Sequence, residues 1–189
     1  MPKLSKKLYL GLIIGAYAAG MACLITGVIM IAVLAVTKGG KFTIADMGLF
    51  VPCILFLLLG MAASIIAGVC GYVLLYKAWQ AIQDGQPRTT PGKAVGFLFI
   101  PFFNFYWMFI AYWGWAKDCN AYISSKGLSL TPLPEKLYLA YPIILLCGGI
   151  PYAGSVAALA VIVVFIIISN QMIDTVNGIY DVRMITSQF

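Results

Sequence analysis

Four stretches of this chain carry no charged side chain: Leu8–Thr37, Met47–Tyr76, Ala94–Ala116 and Leu137–Ile173. They are 30, 30, 23 and 37 residues long, and all 12 basic and 6 acidic residues fall outside them. A helix needs about 20 apolar residues to cross a hydrocarbon core of about 30 Å. In lipid every backbone polar group must be satisfied within the chain, which favours helices. The pattern therefore predicts an all-α polytopic membrane protein with four transmembrane helices in an antiparallel bundle. It forms a single integral membrane domain over 1–189, with spans at 8–36, 49–76, 94–116 and 150–170. Composition agrees, with 62% hydrophobic and 10% charged residues against about 25% charged in soluble domains.

The first run follows a basic start but is far longer than the 7–15-residue apolar region of a signal peptide, so it reads as an uncleaved first span. It carries small residues at every fourth position: Gly11, Gly15, Ala19, Cys23 and Gly27. The second run carries Gly60, Ser64 and Gly68, beside Ala63, Ala67 and Gly71. Small-xxx-small faces let membrane helices approach closely. Spans one and two are expected to pack as a hairpin through these faces, or to use them for self-association.

Eleven of the 19 residues Phe97–Trp115 are aromatic. Pro101 should kink this third span or mark its true start. Asn104 is placed to bond a backbone group freed by the proline or to bond across helices. Trp107 belongs to the aromatic wall, and Trp113 suits the interfacial belt. Upstream, Thr90-Pro91 reads as an N-cap followed by proline at the first helical position. The fourth run would be about 55 Å long as one helix. A kinked or broken fourth helix is expected near Gly149, its main span preceded by a piece, Leu137–Leu146, too short to cross alone. An amphipathic C-terminal extension follows. Its apolar stripe is Met172, Ile173, Val176, Ile179 and Tyr180, and its polar stripe Asn170, Asp174, Asn177 and Asp181.

With four spans both termini share a side. That side would hold Lys3, Lys6, Lys7, Lys77, Arg88, Lys93 and Arg183, and the other Lys38, Lys41, Lys117, Lys126 and Lys136. The excess of seven over five points to cytoplasmic termini.

The chain has no histidine, which excludes Ser-His-Asp and Cys-His catalysis, HExxH zinc sites and histidine proton relays. Its five cysteines, Cys23, Cys53, Cys70, Cys119 and Cys147, form no CxxC pair, and four lie in apolar runs as small hydrophobes. Cys119 lies beside a membrane boundary, where acylation is an option. No catalytic residue, cofactor or metal is expected. Scattered lysines flanking spans do not make a nucleic-acid surface.

The segment Thr89–Asn120, TTPGKAVGFLFIPFFNFYWMFIAYWGWAKDCN, resembles one shared by a family of small, uncharacterised bacterial four-helix integral membrane proteins. The matching residues include Thr90, Pro91, Gly92, Gly96, Phe99, Pro101, Asn104, Tyr106, Trp107, Trp113, Gly114 and Asn120. The resemblance implies a multi-pass protein of the bacterial plasma (inner) membrane and no chemistry.

Three functions fit these residues. The first is a non-catalytic structural or accessory subunit of a larger membrane assembly, held by protein partner subunits or by homo-oligomerisation within the lipid bilayer. The second is an oligomeric ion channel lined by the fourth helix, with Asp174 and Asp181 at a cation-attracting mouth. The third is a lipid- or quinone-binding protein using the aromatic third span.

Overall fold

The computed structural model describes residues 4–41, 43, 47–148 and 153–186, with the backbone alone at 153–156, 158 and 186. The fold is all-α, with no strand among the described residues. The helices are α1 (Lys6–Thr37), α2 (Met47–Ala81), α3 (Pro91–Gly96), α4 (Phe103–Met108), α5 (Trp115–Ser125), α6 (Glu135–Cys147) and α7 (Ala153–Thr186). A 3-10 turn, Phe97–Phe99, follows α3, and a π-helical turn, Phe109–Gly114, joins α4 to α5. Three helices, in α1, α2 and α7, are long and apolar enough to cross a membrane. At 32, 35 and 34 residues they extend roughly 50 Å each. Contacts divide the chain into two compact units: Gly11–Cys70, and Gly71–Phe189 with Met1–Leu10.

In the first unit α1 and α2 lie antiparallel. Gly20 faces Gly60 and Gly27 faces Cys53, so seven residues forward on one helix meet seven back on the other. Ile13, Gly20 and Gly27 are the buried positions of α1. On α2, Cys53, Gly60 and Ala67 are buried at the same spacing of seven. The seam therefore repeats every seven residues, as knobs-into-holes packing requires. A Cβ at Gly20 would lie 3.2 Å from the Gly60 carbonyl oxygen, and one at Gly60 3.0 Å from that of Gly20. Only glycine permits two backbones to come this close.

In the second unit the expected third span is not one straight helix. Arg88, before the run Ala94–Ala116, and Asp118, after it, form an ion pair with N···O 2.6 Å. A straight helix of 23 residues would hold its ends about 35 Å apart. Instead the run doubles back. Trp107 donates its indole N–H to the carbonyl of Ala94 at 3.1 Å, although 13 residues of straight helix would separate them by about 20 Å. Thr90 caps α3, with its side chain accepting from the Lys93 N–H. The reversal lies at Ile100–Phe102. Phe102 has φ +62° and ψ −42°, and the Phe103 N–H bonds the Pro101 carbonyl across it at 2.7 Å. This is a γ-turn with positive central φ, rare and strained for a residue bearing Cβ. Pro101 thus marks where a helix restarts. The Phe97 ring packs on Phe103 and Trp107, with centroids 5.7 and 4.8 Å away, and closes the hairpin.

The fourth run is also divided. The expected break near Gly149 falls on 149–152, outside the described residues. On either side of it, α6 and α7 lie antiparallel: the Tyr138 hydroxyl donates to the Ile168 carbonyl at 3.3 Å, and Tyr141 faces Phe165 with centroids 5.6 Å apart. Helix α6 also runs antiparallel to the α4–α5 leg, with Tyr112 on Tyr141 at 4.7 Å and Trp115 near Tyr138 at 5.7 Å. Helix α7 continues unbroken through the C-terminal extension, with Met172, Ile173, Val176 and Ile179 at most 1% exposed.

Candidate functional site

The polar groups of the second unit gather where α2 ends, α5 leaves the apolar run and α7 finishes. Helix α2 stops at Ala81, and the turn after it presents Asp84. Arg183 of α7 reaches this turn, bonding the Ala81 carbonyl and the Asp84 carboxylate. The Tyr122 hydroxyl of α5 donates to Asp84 Oδ2 at 3.0 Å and accepts from Arg183 Nη2 at 2.9 Å. Burial is the leading influence on the Tyr122 phenol and raises its pKa, which keeps the hydroxyl proton that it donates to Asp84. Lys126 lies 4.0 Å from Asp84.

A few residues on, Asp118 holds Arg88 in a fork. Nε donates to both carboxylate oxygens at 2.9 and 3.0 Å, Nη2 adds a bond to Oδ1, and the Arg88 backbone N–H donates to Oδ2 at 2.9 Å. Charge-assisted forked pairs are the strong kind. The Arg88 side chain lies against Gly114, where a Cβ would come within 3.3 Å of its Cδ. Behind it the Trp79 indole N–H donates to the Ala111 carbonyl at 3.0 Å. Ala111 lies within the π-helical turn, where the regular bonding ladder is disrupted.

Two asparagines work alike. Asn120 Oδ1 accepts from the Leu133 N–H at 2.8 Å, while its Nδ2 donates to the Leu133 carbonyl at 3.0 Å. Asn177 Oδ1 accepts from the Leu4 N–H at 2.8 Å, while its Nδ2 donates to the Leu4 carbonyl at 2.9 Å. Each clasps the peptide of a leucine just before a helix, α6 or α1, and each leucine is buried. Lys6 then pairs with Asp174 at 2.7 Å. Around Asp84, Tyr122 and Asp118 lies an open polar cleft of about 640 Å³, lined also by Gly85, Gln86, Pro87, Ser125 and Lys126, among others. It can recognise a charged or hydrogen-bonding group. Among the described residues no group of His, Cys, Asp or Glu is arranged to hold a metal ion.

The residues singled out from the sequence are only partly brought together. Gly27, Gly60 and Ser64 lie on the α1–α2 seam, with Cys23 half-buried, whereas Gly11, Gly15 and Gly68 have nothing within 4 Å of a Cβ and Ala19 is exposed. Asp174 and Asn177 hold the N-terminal segment, Asp181 is exposed and Asn170 half-buried. Pro101 and Trp107 shape the hairpin. Trp113 carries the Lys117 ammonium 3.7 Å above its ring. The Asn104 side-chain oxygen is buried and takes no hydrogen bond among the described residues. It lies on an apolar groove of about 390 Å³ with Phe105, Met108, Leu145 and Leu146. Cys119 is buried, and desolvation, assisted by Asp118, raises its thiol to about 12. A thiol so buried and protonated is a poor acylation target.

Asp84, Arg88, Tyr122 and Arg183 were absent from the sequence-derived site. For Arg88 the signal was faint, an opposite charge, Asp118, at the other flank of one apolar run; Asp84, Tyr122 and Arg183 are joined only by tertiary contacts. The chain matches no known protein family, no curated protein and no solved structure.

Proposed function

We propose that this chain is a non-catalytic integral membrane protein that serves as a structural or accessory subunit of a larger membrane assembly. The observation that carries the reading is the use made of its polar groups. Asp84, Asp118 and Asp174 each bind a cation of the same chain, and Asn120 and Asn177 each clasp a backbone peptide. They staple helices and the N-terminal segment into a platform. The pairing of Asp174 with Lys6 supports this reading over a channel mouth at Asp174. Purification in mild detergent followed by mass spectrometry tests the proposal. A stoichiometric protein partner is expected, and reproducible recovery of the chain alone would overturn it.

The same proposal includes a topology. Helices α1 and α2 cross and return, α3 and α4 form a re-entrant hairpin, and α6 and α7 form a second pair. Non-helical backbone at membrane depth is tolerated when protein covers it. The Arg88–Asp118 pair supports placing 82–93 and 117–136 on the side of both termini. That side then holds ten basic residues, and the other holds only Lys38 and Lys41. This is a far stronger bias toward cytoplasmic termini than four simple spans give. A bacterial plasma membrane completes the proposal.

A further inference from the structure

We infer that the termini-side face binds the headgroups of anionic phospholipids, through lysines that the fold holds at the membrane boundary without a carboxylate partner. The inference rests on the topology proposed above. Nine described basic residues lie on this side. Lys6, Arg88, Lys126 and Arg183 face carboxylates within 4.0 Å. Among the described residues, Lys7, Lys77, Lys93, Lys117 and Lys136 do not.

Two of these five have a defined position. The Lys77 ammonium lies 5.4 Å from the centroid of the Tyr9 ring, and that of Lys117 3.7 Å from Trp113. Lys77 follows the last residue of the second charge-free run, and Lys117 follows the last residue of the third. Both ammonium groups therefore lie at headgroup level. A ring face attracts a cation without neutralising it, and an ammonium held in this way still calls for a counter-charge. The phosphodiester of an anionic lipid supplies that charge at the right depth. Anionic leaflets attract juxtamembrane Lys and Arg in this manner.

The test uses the full-length protein in nanodiscs of mixed phosphatidylglycerol and phosphatidylcholine, released into detergent for native mass spectrometry of retained lipid. The protein is expected to retain phosphatidylglycerol preferentially. The preference should drop about fivefold per lysine removed, so roughly 25-fold in the Lys77→Gln, Lys117→Gln double variant. Lys38→Gln, Lys41→Gln on the opposite side should leave it unchanged. Should the double variant fold poorly, the unaltered protein still answers, because its preference must weaken as salt rises from low to high. Equal retention of the two lipids, or a preference indifferent to salt, overturns the inference. Loss of the preference in the Lys38, Lys41 variant rather than the Lys77, Lys117 variant overturns it as well. Sidedness is read separately by cysteine labelling, so failure of lipid binding and failure of the topology give different results.

Discussion

Replacing Gly60 by alanine places a Cβ 2.7 Å from Leu24 Cγ and 3.0 Å from the Gly20 carbonyl oxygen. The leucine can rotate away, but the carbonyl belongs to the backbone of α1 and yields only if the helices part. Such overpacking costs about 1–3 kcal/mol. Alanine also favours a helix over glycine by about 1 kcal/mol, which blurs the net effect. Gly15→Ala supplies the reference, since a Cβ there has nothing within 4 Å and the backbone gain is of the same kind. The difference between the two variants then isolates the clash, and Gly60→Ala is expected to be less stable than Gly15→Ala by about 1–3 kcal/mol. Equilibrium unfolding in mixed micelles, titrated with a denaturing detergent, measures it. Equal stabilities, or a larger loss at Gly15, would refute the seven-residue seam and restore the four-residue row as the packing face.

Phe102→Gly removes the strain of a positive φ on a side chain that is 85% exposed, so it should stabilise the protein by about 1 kcal/mol, read by the same titration. Asn177→Ala breaks both bonds to Leu4 and should cost about 1–3 kcal/mol, with faster hydrogen exchange confined to the first turn of α1. The Cys119 thiol is raised from 9.0 to about 12 in the fold, so the folded state holds this proton more tightly than the unfolded chain. Its contribution is complete below about 9 and lost as pH rises toward about 12. A Cys119→Ala variant should lose less stability than the parent across that alkaline window.

The length and apolarity of α1, α2 and α7 were legible because charge-free runs of 30 or more residues leave little choice. So was the buried stripe of α7, since Met172, Ile173, Val176 and Ile179 follow helical spacing. The row from Gly11 to Gly27 lies only partly on the α1–α2 seam for a geometric reason. Each step of four turns about 40° beyond a full turn, so five such residues wander around the helix. A step of seven drifts only about 20°, which leaves Ile13, Gly20 and Gly27 on one line. The third run misled because 23 apolar residues suit a span as well as a hairpin. Pro101 pointed to a break but not to a reversal, and reversal depends on Trp107 reaching Ala94 and Arg88 reaching Asp118. Those are tertiary pairings that no local pattern carries. The site was least legible, because Asp84, Tyr122 and Arg183 are far apart in sequence.

The re-entrant hairpin is best tested by labelling single cysteines from either side of an intact membrane, in a variant whose native cysteines are replaced. Ser5→Cys, Ser124→Cys and Lys41→Cys all place the thiol at exposed positions. The account predicts that an impermeant maleimide reaches Ser5→Cys and Ser124→Cys from one side and Lys41→Cys from the other. Labelling of Ser124→Cys from the Lys41 side would mean that Ala94–Ala116 crosses the membrane, and would contradict the account.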